Sequence, residues 1–298
     1  MSVHAILLIL LGLFAVVYIA VWGAEMSRRG FILPAWLEIG VGFITDFFDT
    51  LGIGSFAPTT TMFKFWKLVP DERIPGTLNV GHALPTIAEA LIFIAIVDVA
   101  PVTLVLLIAA AIVGAWLGAG IVAKWPRRYV QIGMGLALIA AGIFFIMKNL
   151  NILQGGGNAL GLSGTLLYVG IAGNFVLGAL MTIGIGLYAP AMIMVALLGM
   201  SPIAAFPIMM GSCAFLMPIA SWRFIKFDAY TLKAALGLTI GGVPGVLAAA
   251  YLVKSLNVSA LRWLVAAVVI YTAFMMLRSA LVERQSEAAV GAGAVVPE

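Results

Sequence analysis

The chain has 298 residues, 16 Lys and Arg against 12 Asp and Glu, and a mean hydropathy of +1.17. Its hydrophobic fraction is 63%, where soluble domains have about 45–50%, and 9% of its residues are charged, where about 25% is usual. So few charges cannot cover the surface of a soluble globule of this size. The composition excludes a soluble enzyme, a nucleic-acid-binding module and a disordered chain. It predicts an all-α protein that crosses a lipid bilayer several times.

Candidate membrane crossings are identified by length, because a helix needs about 20 apolar residues to span a hydrocarbon core of about 30 Å. Two apolar stretches, 35–62 and 167–198, are long but broken by glycine and proline. Arg28 and Arg29 follow the first apolar run, so we predict that residues 1–30 form a retained first helix with its N-terminus outside. Seven continuous runs meet the length criterion: 4–22, 79–98, 101–123, 129–148, 203–222, 229–253 and 259–279.

The sequence repeats itself when each residue is compared with the residue 132 positions later. The pattern T-x-G-I-G-x-x-A-P occurs as Thr50–Pro58 and again as Thr182–Pro190. Matching glycines and prolines at fixed spacing favour a duplication over chance agreement of small residues. The predicted organisation is repeat 1 over 31–148, a hinge over 149–164, repeat 2 over 165–281 and a disordered cytoplasmic tail over 282–298.

The distribution of Lys and Arg favours one topology, because basic residues collect in cytoplasmic loops. If the two broken stretches each cross once, the basic residues divide evenly between the two sides. If each is instead a re-entrant hairpin with a glycine tip, only Lys148, Lys254 and Arg262 fall outside. The hairpin topology therefore predicts seven crossings, an inverted internal repeat and a cytoplasmic C-terminus. The thirteen basic residues on the cytoplasmic side are then Arg28, Arg29, Lys64, Lys67, Arg73, Lys124, Arg127, Arg128, Arg223, Lys226, Lys233, Arg278 and Arg284.

The duplicated glycine motif, each copy ending in proline, and the sequence Pro75-Gly76-Thr77 resemble the TauE/SafE family of sulfite exporters over residues 37–280. Ser55-Phe56 and Leu187-Tyr188 stand where the family pattern has further glycines. The resemblance implies a permease of the bacterial inner membrane that moves small sulfur-containing anions such as sulfite or organosulfonates.

The hairpin tips are the predicted substrate site. Glycine permits a positive φ at a reversal and lets a ligand approach backbone amides. Pro58 and Pro190 suit the first turn of a new helix, so two helix N-termini would face an anion near the midplane. The alternative is that these glycines only allow close helix packing. The candidate substrate-binding residues are Thr50, Gly52, Gly54, Ser55, Thr59, Thr182, Gly184, Gly186 and Tyr188.

Five polar residues are candidates for ion coupling, because ionisable groups at membrane depth are costly and are functional candidates by default. Asp46 and Asp49 precede the first tip on one helix face, and Asp49 is the stronger candidate because it lies one turn before the tip. Asn79, His82 and Glu89 share a face of the next crossing. We expect proton or sodium coupling. Structural hydrogen bonding and recognition of a cationic group on a zwitterionic substrate remain alternatives.

Two other functions were weighed against a coupled transporter. A passive anion channel fits the same architecture. An intramembrane hydrolase is suggested by the G-x-S-G string at 161–164, but both histidines precede Ser163, whereas that chemistry needs a later histidine. We therefore expect no enzyme activity, catalytic residue, metal or cofactor. The expected partners are a small anion and the lipid bilayer, with no nucleic acid, and the sequence leaves a homo-oligomer open.

Overall fold

The computed structural model describes residues 2–30, 32–122, 127–150, 157–181, 186–255 and 258–291. These residues form helices and connecting turns and contain no β-strand, which confirms an all-α fold. Two short 3-10 turns, Asp71–Arg73 and Pro202–Ala204, precede the fourth and ninth helices. The helices are α1 (Val3–Arg29), α2 (Trp36–Thr50), α3 (Phe56–Phe65), α4 (Ile74–Ile96), α5 (Pro101–Val122), α6 (Arg127–Asn149), α7 (Gly164–Met181), α8 (Tyr188–Leu197), α9 (Ala205–Lys226), α10 (Leu232–Ser255) and α11 (Val258–Gly291).

Five helices in the described part of the chain are long and apolar enough to cross a membrane, which is consistent with an integral membrane protein. They are α1, α4, α7, the helix over 202–226 and the helix over 232–252. Helix α7 qualifies although it belongs to a stretch that we expected to be broken. In contrast, α2 has 15 residues and α3 and α8 have 10 each. At about 1.5 Å per residue, none of these three reaches the roughly 30 Å of the hydrocarbon core.

The helices that follow α1 occur in the same order twice, from α2 to α6 and from α7 to α11, and the two 3-10 turns occupy matching places. Their packing follows this correspondence. Helix α4 packs against its counterpart α9, and α6 packs against α11. Helix α2 packs against α10, and likewise α7 packs against α5. Exchanging the two sets of helices therefore leaves this pattern of neighbours unchanged.

One end of the bundle gathers the starts of α2, α4 and α10 and the ends of α1 and α9. Arg29 at the end of α1 pairs with Asp228, which follows α9. Lys233 Nζ at the start of α10 lies 3.6 Å from Glu38 Oε1 at the start of α2. Thr231 N–H, just before α10, donates to Thr77 Oγ1 in the first turn of α4 at 2.9 Å. Helices α2 and α4 therefore start at the same end of the bundle.

A second group of loops joins the starts of α5, α7 and α9. Ala100 N–H donates to the Leu160 carbonyl at 2.7 Å, and Ser201 N–H donates to the Ala159 carbonyl at 2.9 Å. Helix α4 separates this group from the first, because its 23 residues are about 35 Å long. The second set of helices thus starts at the opposite end of the bundle from the first set.

Helix α11 extends further than the sequence predicted. It continues to Gly291, ten residues into the stretch 282–298 for which the sequence predicted a disordered tail. Glu283, Gln285, Ala288 and Ala289 favour helix intrinsically, and they can extend a helix that already exists without the cost of nucleation. Residues 292–298 lie outside the described residues, as do 151–156 within the expected hinge.

Candidate functional site

Both predicted tips border one cavity of about 80 Å³. A cavity needs at least about 10–15 Å³ to hold one water molecule, so this cavity has room for a small ion with some of its water. Gly54 lines the cavity from the first tip and Gly186 from the second. Helices α6 and α11 close the remaining sides. The other lining residues are Ile53, Phe56, Ala57, Pro58, Tyr188, Ala189, Gln131, Tyr271, Thr272, Met275, Met276 and Ser279.

Two helix N-termini face this cavity. Helix α3 begins at Phe56 and α8 begins at Tyr188, and both residues line its wall. Neither N-cap residue, Ser55 or Leu187, caps its helix with a side-chain hydrogen bond. Unpaired N–H groups and the positive end of a helix dipole together attract an anion. Pro58 and Pro190 both lie in the first turn, as predicted.

The tip glycines differ from one another in backbone conformation. Gly54 has a φ of +90°, as predicted for a reversal. Gly186 is not in the left-handed region, so the expectation of a positive φ there is wrong. Its backbone leads directly into α8, whose preceding residue Leu187 has a φ of −85°. Thr182 and Gly184 lie outside the described residues.

The space around each glycine indicates whether that glycine allows close helix packing or leaves room for a ligand. A Cβ placed on Gly54 or Gly186 would have no atom within 4 Å, because both face open space. A Cβ on Gly114 of α5 would instead overlap the α7 backbone. Gly52, with a φ of +98°, lies against the Met192 side chain of α8. Close packing therefore explains Gly114 and the positive φ favours glycine at position 52, whereas packing does not explain Gly54 or Gly186.

Asp46, His82 and Thr59 form a buried chain of polar contacts behind the first tip. His82 Nδ1 lies 2.8 Å from Asp46 Oδ1, and His82 Nε2 lies 3.0 Å from Thr59 Oγ1. All three side chains are inaccessible to solvent. Helix α10 covers the carboxylate, because a Cβ on Gly242 would overlap Asp46 Oδ2. Helices α2 and α3 are thus both tied to α4.

Thr59, His82 and Asp46 are in contact in the order hydroxyl, imidazole, carboxylate, which is also the order in nucleophilic triads. Here the Thr59 hydroxyl also lies 2.8 Å from the Ser55 carbonyl of its own helix. Thr59, His82 and Asp46 are buried and do not line the cavity. Their arrangement holds α2, α3 and α4 together and does not present a nucleophile to the cavity.

Glu89 forms a second group of contacts, which involves α2 and α8. Its Oε1 lies 2.7 Å from Thr50 Oγ1 at the end of α2. Tyr188, at the start of α8, donates its phenol hydrogen to Glu89 Oε2 at 2.7 Å. Thr50 and Thr59 were predicted to bind substrate, but the structure places both within these buried groups and away from the cavity wall.

Asp49 and Asn79 have separate surroundings. Asp49 is buried, and both the hydroxyl and the backbone N–H of Ser55 are within hydrogen-bonding reach of its carboxyl group. Ser55 is therefore directed to Asp49, not to the cavity that it was predicted to line. The Asn79 side-chain amide donates to the Pro75 carbonyl at 2.8 Å, one turn earlier in α4. The structure thus gives Asn79 a role within its own helix.

Four polar residues of the cavity wall were missed by sequence reasoning: Gln131 of α6 and Tyr271, Thr272 and Ser279 of α11. Gln131 Oε1 is buried and has no hydrogen-bond partner. A signal was present, since Thr272 and Ser279 are seven residues apart and therefore share a helix face. Among the residues with described side chains, no Lys or Arg is buried, so the polarity of the cavity comes from hydroxyls, an amide and the backbone.

Comparison with known proteins gives no match to a family model, to a curated protein or to a solved structure.

Proposed function

We propose that this chain is a secondary transporter of a small anion, with its substrate site in the cavity between the two glycine tips. The observation that carries the proposal is that the uncapped N-termini of α3 and α8 meet at one cavity. Two such N-termini stabilise negative charge without a buried basic side chain. Short helices whose ends meet at the interface of two repeats are a recurrent design among secondary transporters.

The proposed topology has seven crossings and two re-entrant hairpins, with the N-terminus outside and the C-terminus cytoplasmic. Its support is that α2 and α4 start at the same end of the bundle, and that Ala159 and Ser201, on either side of α7 and α8, are hydrogen-bonded together. Each hairpin thus returns to the end at which it began. The opposite starting ends of the two sets support an inverted repeat. We place the protein in the bacterial inner membrane.

Sulfite or an organosulfonate is the proposed substrate, because the tip motifs resemble those of the TauE/SafE family. The cavity supports this class through its size and its chemistry. At about 80 Å³ it suits a small ion, and its apolar walls at Ile53, Met275 and Met276 suit the short hydrocarbon part of a sulfonate. Backbone N–H groups and the hydroxyls of Thr272 and Ser279 supply donors for sulfur-bound oxygens.

Coupling to protons or sodium is proposed because carboxylates and a histidine are buried next to the cavity wall. Asp46, Asp49, His82 and Glu89 are all inaccessible or nearly so, and Tyr188 connects Glu89 to the wall. Charged groups at this depth are costly unless they are neutralised. A bound cation would provide that neutralisation in one step of the cycle.

The test is flux of radiolabelled sulfite and methanesulfonate in proteoliposomes, with and without a pH or sodium gradient. We expect saturable uptake, accumulation driven by one of the gradients, and loss of both in Gly54→Val. The matched control is Gly12→Val in α1, where a Cβ also meets nothing within 4 Å but φ is ordinary. Conductive flux without accumulation would indicate a channel. Absence of flux of either anion would contradict the proposed substrate class.

A further inference from the structure

The Thr50 hydroxyl is close to two oxygens but has one hydrogen to donate. Its Oγ1 lies 2.8 Å from the Asp46 carbonyl, one turn earlier in α2, and 2.7 Å from Glu89 Oε1. A threonine within a helix commonly donates to the carbonyl four residues before it. A carbonyl oxygen can only accept, so donation to Asp46 leaves Thr50 Oγ1 as an acceptor toward Glu89.

The contact with Glu89 is then a hydrogen bond only if Glu89 Oε1 carries the proton. An ionised carboxylate can only accept, and it would face a lone pair of Thr50 at 2.7 Å. The other oxygen, Oε2, already accepts from the Tyr188 phenol. A carboxylic acid at this position satisfies all three groups: Tyr188 donates to Oε2, Oε1–H donates to Thr50, and Thr50 donates to the Asp46 carbonyl.

The charges around Glu89 favour the same neutral form. The titratable groups that act on it are Asp46 and Asp49 of α2, Tyr188 of α8 and Cys213 of α9. Each of these is negative when ionised. His82, on the same helix, is directed to Asp46. Among the described residues, an ionised Glu89 would therefore be buried with groups of its own sign and would have no cation of its own.

We propose that Glu89 carries the coupling proton of the transport cycle, an inference that rests on the proposed function and names its ion. The proton binds at Oε1 from water on one side of the membrane and leaves to the other. Its release requires Thr50 to turn its hydroxyl toward Glu89 and to give up the bond to Asp46. Release also puts a negative charge one hydrogen bond from Tyr188, which lines the anion cavity. Proton and anion therefore favour each other's binding.

The first measurement is infrared difference spectroscopy of the purified protein at neutral pH. We expect the C=O stretch of a protonated carboxylic acid in wild type and its loss in Glu89→Gln. Glu38→Gln is the matched control, because Glu38 is also a buried glutamate but is paired with Lys233 at the end of the bundle. That control should keep the band. A band that persists unchanged in Glu89→Gln would overturn the inference, and this result does not depend on knowing the substrate.

The second measurement separates this inference from the proposed function. In proteoliposomes, an internal pH dye would report proton entry that accompanies sulfite or methanesulfonate. With the anion present on both sides of the membrane, a radiolabel would report anion exchange. We expect Glu89→Gln to retain exchange and to lose anion-dependent proton entry, while Glu38→Gln keeps both. If wild type and Glu89→Gln move the same number of protons per anion, Glu89 is not the carrier and the transporter proposal stands. If wild type exchanges neither anion, the transporter proposal fails while the infrared result still tests the proton on Glu89.

Discussion

The phenol of Tyr188 donates to Glu89 Oε2 at 2.7 Å across 99 positions of sequence. Tyr188 begins α8 in the second set of helices and lines the cavity, whereas Glu89 belongs to α4 in the first set. This bond joins the wall of the candidate anion site to the buried carboxylates. Through this bond, occupancy of the anion site can affect the carboxylates.

Replacing Tyr188 with Phe tests this connection. The ring still fills its space, but the donor to Glu89 Oε2 is removed, and we expect stability to fall by about 1 kcal/mol. We also expect anion exchange to persist and its dependence on the pH gradient to weaken. Thermal unfolding in detergent and flux in proteoliposomes measure the two effects. Unaltered gradient dependence in Tyr188→Phe would mean that the bond is structural only.

The sequence predicted the location of the site better than its contacts. Repeated glycine and proline spacing predicted both tips, because the reversal and the following helix have local requirements. It could not predict that Thr50 and Thr59 turn away from the cavity, because their partners Glu89 and His82 come from another helix. Nor could it assign Gln131 to the wall, since helix order does not specify which face of α6 closes the cavity.

Alanine at the two tips should have different effects on stability. Gly54 has a φ of +90°, where an L-residue costs about 1–2 kcal/mol, whereas Gly186 has no such requirement. We expect Gly54→Ala to lower the melting temperature and Gly186→Ala to leave it unchanged. Transport should decrease in both, because each methyl group projects into the cavity. Full transport by Gly186→Ala would show that this side of the cavity does not contact the anion.

Accessibility labelling tests the hairpin topology. In a background that lacks Cys213, which is buried, single cysteines at Arg28, Lys67 and Asn158 would be exposed. We expect a membrane-impermeant reagent to label Arg28→Cys and Lys67→Cys from the cytoplasmic face and Asn158→Cys from the outer face. Labelling of positions 28 and 67 from opposite faces would mean that the chain crosses the membrane between them, which is incompatible with a re-entrant hairpin.

Asp49→Asn distinguishes the two coupling candidates. Sequence position favoured Asp49, but in the structure Glu89 is the carboxyl group that is hydrogen-bonded to a residue of the cavity wall, Tyr188. We therefore expect Asp49→Asn to keep anion-dependent proton entry, in contrast to Glu89→Gln. Pyranine fluorescence in proteoliposomes measures this directly. Loss of proton entry in Asp49→Asn with normal entry in Glu89→Gln would assign the coupling proton to Asp49 instead.

The Asp46–His82 contact is the strongest candidate for a stabilising interaction in the buried network. The two groups lie 2.8 Å apart and are fully buried, so removal of either one leaves the other without its partner. We expect Asp46→Ala and His82→Ala each to lower the free energy of unfolding by about 3–5 kcal/mol.

The double variant should cost clearly less than the sum of the two single variants, because it leaves no buried group unpaired. SDS-induced unfolding in mixed micelles would measure all three. Thr239→Val is the control for an ordinary interhelical bond, since the Thr239 hydroxyl donates to the Gly81 carbonyl at 2.7 Å. Loss of the Thr239 hydrogen bond should lower the free energy of unfolding by about 0.6 kcal/mol, the average for such bonds in a membrane. Additive effects of the Asp46 and His82 substitutions would show that the pair is not energetically coupled.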